Sequence, residues 1–120
     1  MVKYGSIIVA DGIPTIKESI QYLNKIGLKQ NSLCISLRSK KQIFKYVKNN
    51  NLEIKPFYKL REKFLKKMLL ESDIVLFSES NQSVSTQFII SFILKENIKC
   101  KVHLIMIYPF QDKERSLLHF

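Results

Sequence analysis

The sequence predicts an α/β fold of three layers, built on a five-stranded parallel sheet in the order 3-2-1-4-5. Two observations carry this prediction. Five short apolar runs alternate with stretches of helical periodicity along the 120 residues. The runs are also nearly continuous Ile, Val and Leu, the composition that burial on both faces of a parallel sheet demands. A third observation bears on function. Ser72-Asp73-Ile74-Val75-Leu76-Phe77 leads into a polar loop, then Ser83-Val84-Ser85-Thr86, then an apolar helix. A strand, a hydroxyl-rich loop and a helix N-terminus in that order form a frequent seat for phosphate or ribose in parallel sheets.

The elements follow in order. The first strand is predicted over Ser6–Ala10, followed by a turn at Asp11-Gly12-Ile13-Pro14-Thr15. Thr15, with Glu18 three residues on, has capping-box spacing and starts a helix to about Ile26, with Ile16, Ile20, Leu23 and Ile26 on one face and Gly27 as its stop. A second strand over Ser32–Leu37 precedes a helix over Lys40–Asn49 with Ile43, Phe44 and Val47 inward. A short third strand, Leu52–Pro56, precedes a helix over Tyr58–Leu70 whose apolar positions are Leu60, Phe64, Met68 and Leu65. The fourth strand is Ile74–Ser78. Its helix, Ser85–Glu96, is apolar almost all round, which predicts a homodimer through residues 85–96 or cover from tail residues Leu117, Leu118 and Phe120. The fifth strand is Val102–Tyr108, and 109–120 is a C-terminal tail. The whole of 1–120 reads as a single domain.

No apolar run reaches the ~18–20 residues of a membrane span. Met1–Ser6 run straight into the first strand without a signal-peptide pattern, so a cytoplasmic protein is expected. Cys34 and Cys100 then read as reduced, buried thiols. His103 and His119 have no partner at metal-ligand spacing, and neither a metal nor a cofactor is predicted. The formal charge is +10, and residues 38–67 alone carry +9. Within that stretch Lys40, Lys41, Lys45, Lys59, Arg61, Lys63, Lys66 and Lys67 form a candidate face for nucleic acid or an acidic protein. A solvated surface in a lysine-rich background explains the same charges.

In order 3-2-1-4-5 the crevice lies at the carboxyl ends of strands one and four. Two loops meet there. The first offers Asp11 and the backbone of Gly12; the second offers Ser78, Glu79, Ser83, Ser85 and Thr86. Helix N–H groups and hydroxyls can hold an anion, and the two acids can accept from ribose hydroxyls. Ordinary capping and turn chemistry accounts for Ser83 or Ser85 equally well. Asp11 and Glu79 lack a paired base or nucleophile, and no Gly-x-Ser-x-Gly or P-loop occurs.

The residue order resembles the SLOG superfamily, the Rossmann-like group that includes DNA-processing protein A, the cytokinin-activating lysine-decarboxylase-like proteins and YspA-type small domains. The last typically run from Asp through an apolar strand and polar loop to Ser-Lys-Gly-Thr, with Thr thirteen residues after Asp. Here Asp73 and Thr86 are thirteen apart, Ser83-Val84-Ser85-Thr86 fills the motif, and Ile54-Lys55-Pro56-Phe57-Tyr58 is similar to the family's third strand. The resemblance spans most of 6–108. It implies a Rossmann-like fold and a ligand site that includes Ser36 and Arg38 after the second strand. The chain departs from the pattern in the first loop, Ala10-Asp11-Gly12, in the glycine-free Ser36-Leu37-Arg38-Ser39, in Phe64 where the family carries arginine, and in Ser85 where it carries glycine. Those glycines admit a phosphate to the backbone, so the phosphoribohydrolase activity of the cytokinin-activating branch is not implied. Arg38 or Arg61 could supply phosphate charge instead. Ile7–Gly12 is also similar to the first strand of the Toprim fold, but the Asp-x-Asp which that chemistry needs is missing.

The leading expectation is a non-catalytic module that senses or sequesters a nucleotide-derived ligand. The alternative is nucleic-acid or acidic-protein binding through 38–67 with a vestigial pocket. A nucleotide hydrolase or N-glycosidase working through Glu79 is the weakest of the three.

Overall fold

The computed structural model of the chain describes residues 4–27, 31–38, 40–78 and 84–105. Their order is β1 (Ser6–Ala10), α1 (Ile13–Lys25), β2 (Ser32–Ser36), α2 (Lys41–Asn49), β3 (Glu53–Pro56), a 3₁₀ turn (Phe57–Lys59), α3 (Glu62–Glu71), β4 (Ile74–Ser78), α4 (Val84–Lys95) and β5 (Lys101–Ile105). The five strands form one sheet in the order β3-β2-β1-β4-β5, and every pairing is parallel. This is a Rossmann-like three-layer fold, with the predicted strand order.

Side-chain alternation along the strands sorts the core into two halves. Ile8 and Ala10 of β1 pack with Leu76, with Ile16, Ile20 and Leu23 of α1, and with Ile43 and Val47 of α2. Ile7 and Val9 pack on the opposite face with Val75 and Phe77, with Leu65, Met68 and Leu69 of α3, and with Ile89, Phe92 and Ile93 of α4. Each fully buried side chain of this kind contributes about 1.5–3 kcal/mol over its exposed state. All five residues of β1 and of β2 are buried, which explains why those runs carry no surface alternation.

Helix ends depart from the expectation by more than one residue in two places, the starts of α1 and α3. α1 starts at Ile13 rather than Thr15, with extended Gly12 as N-cap and Pro14 in the first turn. Proline suits that turn because its missing N–H would have no helical partner. Thr15 is therefore buried rather than capping, and its carbonyl accepts from Ser19 Oγ at 2.7 Å. α3 starts at Glu62 with Arg61 as N-cap, because Phe57–Lys59 close their own 3₁₀ turn and Leu60 is extended. The inward set becomes Leu65, Met68 and Leu69, and Phe64 is 36% exposed. On α4, Gln87, Ser91 and Lys95 are exposed, so a polar stripe divides its outer surface. The predicted continuation of β5 to Tyr108 and the tail 109–120 lie outside the described residues.

Turns that enter the strands use left-handed residues. Gly27, Asn31, Asn51 and Asn97 have φ of 76°, 62°, 59° and 50°. After α2, Leu52 N–H bonds Val47 O at 3.2 Å and Asn51 N–H bonds Lys48 O at 3.0 Å. After α4, Ile98 N–H bonds Ile93 O at 3.0 Å and Asn97 N–H bonds Leu94 O at 3.2 Å. Both are Schellman closures, with asparagine where glycine is commonest.

Candidate functional site

The carboxyl rim is set by strand register. Ala10 aligns with Ser36, Ser36 with Pro56, Val9 with Phe77, and Ser78 with Ile105. β1 sends its chain to α1 on one face, and the adjacent β4 sends its chain to α4 on the other. The strand order reverses between them, so the topological switch point, where open α/β sheets commonly bind ligands, lies at the carboxyl ends of β1 and β4.

The Asp11-Gly12 turn forms one lip. Asp11 is half-buried. Gly12 has φ −161° and ψ 166°, extended geometry open to any residue, and a Cβ added there would lie 3.6 Å from Pro14 Cδ, an ordinary contact. Neither backbone strain nor crowding requires glycine at this lip. The Ala10 carbonyl accepts from Leu37 N–H at 2.9 Å, which holds the chain after β2 beside the same turn.

Ser78 closes β4 and Ser85 and Thr86 lie in the first turn of α4, with Thr86 buried at 2% exposure. Glu79 and Ser83 lie outside the described residues. Ser36 is buried, and its hydroxyl donates to the Arg38 carbonyl, so its proton serves the turn after β2. Arg38 is exposed beside it, and Arg61 is exposed at the start of α3. The structure thus brings Asp11, Gly12, Ser36, Ser78, Ser85 and Thr86 to one rim.

An aromatic group at this rim was not predicted as a unit. Phe57 follows directly on β3 and meets Phe88 of α4 edge-on, with ring centroids 5.8 Å apart. Phe88 is stacked on Phe92 with centroids 6.1 Å apart, yet 41% of Phe88 stays exposed. The sequence signal for this group is partial: Phe57 directly follows β3, and Phe88 and Phe92 are four apart on α4, hence on one face of that helix.

The basic residues do not share one plane. Lys40, Lys41 and Lys45 belong to the start and exposed surface of α2, on the α1/α2 side. Lys63, Lys66 and Lys67 belong to α3, on the opposite side, and Lys66 Nζ lies 3.8 Å from Glu96 in the turn after α4. Lys59 and Arg61 connect them past β3. The positive charge therefore wraps around the β3 edge. Two lysines there sit over rings, Lys55 Nζ at 5.6 Å from the Phe64 centroid and Lys59 Nζ at 5.9 Å from that of Tyr58.

A concavity of about 490 Å³ lies away from the switch point, on the flank between α1 and β5. Tyr22 and His103 stack within it, with centroids 4.3 Å apart. It contains none of the predicted site residues. Burial pushes the Cys34 thiol up to about 12 and raises that of Cys100, which disfavours the thiolate needed for nucleophilic work. Among the described residues no group of three or more His, Cys, Asp or Glu could hold a metal ion, and no helix is long and apolar enough to cross a membrane.

Fold and rim together define a Rossmann-like α/β protein whose topological switch point lies between β1 and β4. No protein-family model matches the chain, and no curated protein is detectably similar to it.

Proposed function

We propose that this protein is a non-catalytic module that binds a nucleotide-derived small molecule in the crevice between β1 and β4, as a sensor or a store. The single observation that carries the reading is the switch point itself, with the Gly12 turn on one lip and the first turn of α4 on the other. Gly12 is the position that tests it: its backbone is open to any residue and its surroundings leave room for a Cβ, so a side chain placed there would fill this lip without straining the fold. The half-exposed Phe88 offers a face on which a base can stack. Asp11 is the one acid at the crevice among the described residues, and it has no paired base there, which favours binding over turnover. Kinship with the SLOG superfamily and a cytoplasmic location, the latter consistent with two free cysteines, belong to the same proposal.

The test is thermal unfolding against mono-, di- and cyclic nucleotides and ADP-ribose-type compounds at physiological salt. A ligand at 100 times its dissociation constant adds about 2.7 kcal/mol and raises the midpoint by several degrees. A flat panel contradicts the reading.

A second reading rests on the lysine–aromatic pairs Lys55/Phe64 and Lys59/Tyr58 along the β3 edge. There the chain would bind nucleic acid or an acidic protein. Phosphate contacts would make nucleic-acid affinity fall steeply with salt, and salt-insensitive binding rules that version out.

A further inference from the structure

The two edges of the sheet are built differently. β3 carries Glu53 and Lys55 in alternation and ends in Pro56, which has no N–H to offer a neighbouring strand. Charge, proline and short length are the usual protections of an edge strand. β5, the outermost strand on the other side among the described residues, reads Lys-Val-His-Leu-Ile and has neither proline nor an acidic residue. Val102 is 44% exposed and Leu104 53%. Leu94 of α4 is 75% exposed. α4 turns Phe88 toward Phe57, and Glu96 in the turn just after it lies 3.8 Å from Lys66 of α3. Leu94 lies on the flank of the helix away from Phe88, beside the exposed Gln87 and Ser91.

From this asymmetry we infer that β5 is the seam of a homodimer, in which β5 of a second copy pairs antiparallel about a two-fold axis at His103. The occupant is a second copy because the strand is complementary to itself. In that register Val102 of each protomer faces Leu104 of the other, and both Val102–Leu104 pairs lie on the α4 side. Registers centred on residue 102 or 104 set His103 against Lys101 or Ile105 and lose one of those apolar pairs. Charge agrees with the same choice. Each Lys101 lies opposite an Ile105, and the two Lys101 are about four residues apart along the seam, roughly 13 Å, beyond the ~8 Å screening length of physiological salt. The sheet then runs on through ten strands. The dimer is thus formed by the strand edge rather than by the outer face of α4, where Gln87, Ser91 and Lys95 are exposed.

Light-scattering mass of the full chain across a concentration series tests this. The expected mass is twice the 14.1 kDa of the chain. Val102→Lys with Leu104→Lys should weaken the dimer by about 30-fold or more, as loss of central interface contacts does, while both sites, already half-exposed, leave the fold intact by circular dichroism. A second variant does not depend on that fold. His103→Cys with Cys100→Ser places two thiols on directly opposed positions about 5 Å apart at Cβ, close to disulfide distance, and mild oxidation should give a covalent dimer. A monomer at every concentration, a dimer unmoved by the double lysine variant, or no covalent dimer from the cysteine variant overturns the inference.

Discussion

The two rims of the sheet are made of different materials. At the amino rim the chain is fastened by short, fully committed contacts. The Tyr4 hydroxyl donates to Glu53 across from β1 to β3, Gly5 N–H bonds Asn31 O at 3.0 Å, and Asp73 N–H bonds Gly5 O at 2.8 Å. Left-handed Asn51 and Asn97 and the Ser72 hydroxyl, which donates to Leu69 O at 2.9 Å, finish the helices that arrive there. At the carboxyl rim the backbone of Gly12 is open to any residue, Phe88 is half-exposed, and hydroxyl residues occupy the helix start. One rim has its polar groups spent on the fold. At the other, Ser36 is likewise spent on the turn after β2, but the Gly12 backbone and the half-exposed Phe88 are not tied down in this way, and the proposed ligand would sit against them.

Substitutions at four positions sharpen or break this contrast. The largest effect is expected from Phe77→Ala, which removes a fully buried ring beneath the switch point and should cost about 3–5 kcal/mol in chemical denaturation. A loss near zero would mean the α3/α4 half of the core is not packed as described. Next, Tyr4→Phe should cost about 1 kcal/mol and change the alkaline behaviour. Burial first, then the hydrogen bond to Glu53 and its charge, push the Tyr4 hydroxyl from 10.0 to about 12. A group so raised contributes fully below its unfolded value, and its contribution is lost as pH climbs from 10 to about 12. The variant should lose that part of the alkaline decline while the part due to Cys34 remains. Unfolding midpoints on either side of that window read the difference, and identical declines would remove Tyr4 as the cause.

Asn51 tests the turn chemistry of the amino rim. Asn51→Ala removes the short amide that makes left-handed geometry tolerable and should cost about 0.5–1 kcal/mol, whereas Asn51→Gly, which also removes the Cβ, should be neutral or slightly stabilising. Equal effects of the two would contradict the assigned backbone. The smallest effect belongs to Lys66→Ala. Its bridge to Glu96 is half-exposed at both ends, so the melting point should hardly move, and a drop of several degrees would show that the pair holds α3 to α4.

The fold was largely legible because it rests on periodicity. Continuous apolar runs marked β1 and β4 to the residue, and alternation with helices set the parallel order. Helix starts were less legible where local chemistry has two readings. Pro14 reads as a turn residue and also fits a first helical turn, and the structure uses the second option. For α3 the spacing of Leu60, Phe64 and Met68 competes with that of Leu65, Met68 and Leu69, and burial against β1 and β4 selects the latter. At the rim, Asp11, Gly12, Ser78, Ser85 and Thr86 were readable as neighbours because strand order alone brings them together. The contact of Phe57 with Phe88 was not, because it depends on how α4 is rotated against the sheet. The two-sided spread of the lysines was hidden for a related reason: α2 and α3 are consecutive in sequence but lie on opposite faces.

The central claim is that the carboxyl rim binds a nucleotide-derived ligand while the amino rim only holds the fold. The most direct measurement is the ligand-induced rise in melting point, taken side by side for the wild type, Gly12→Val and Tyr4→Phe with the best compound of the nucleotide panel. The predicted result is a rise of several degrees in the wild type and in Tyr4→Phe, and none in Gly12→Val, whose folded state is kept. An equal rise in all three, or none in the wild type, would contradict it.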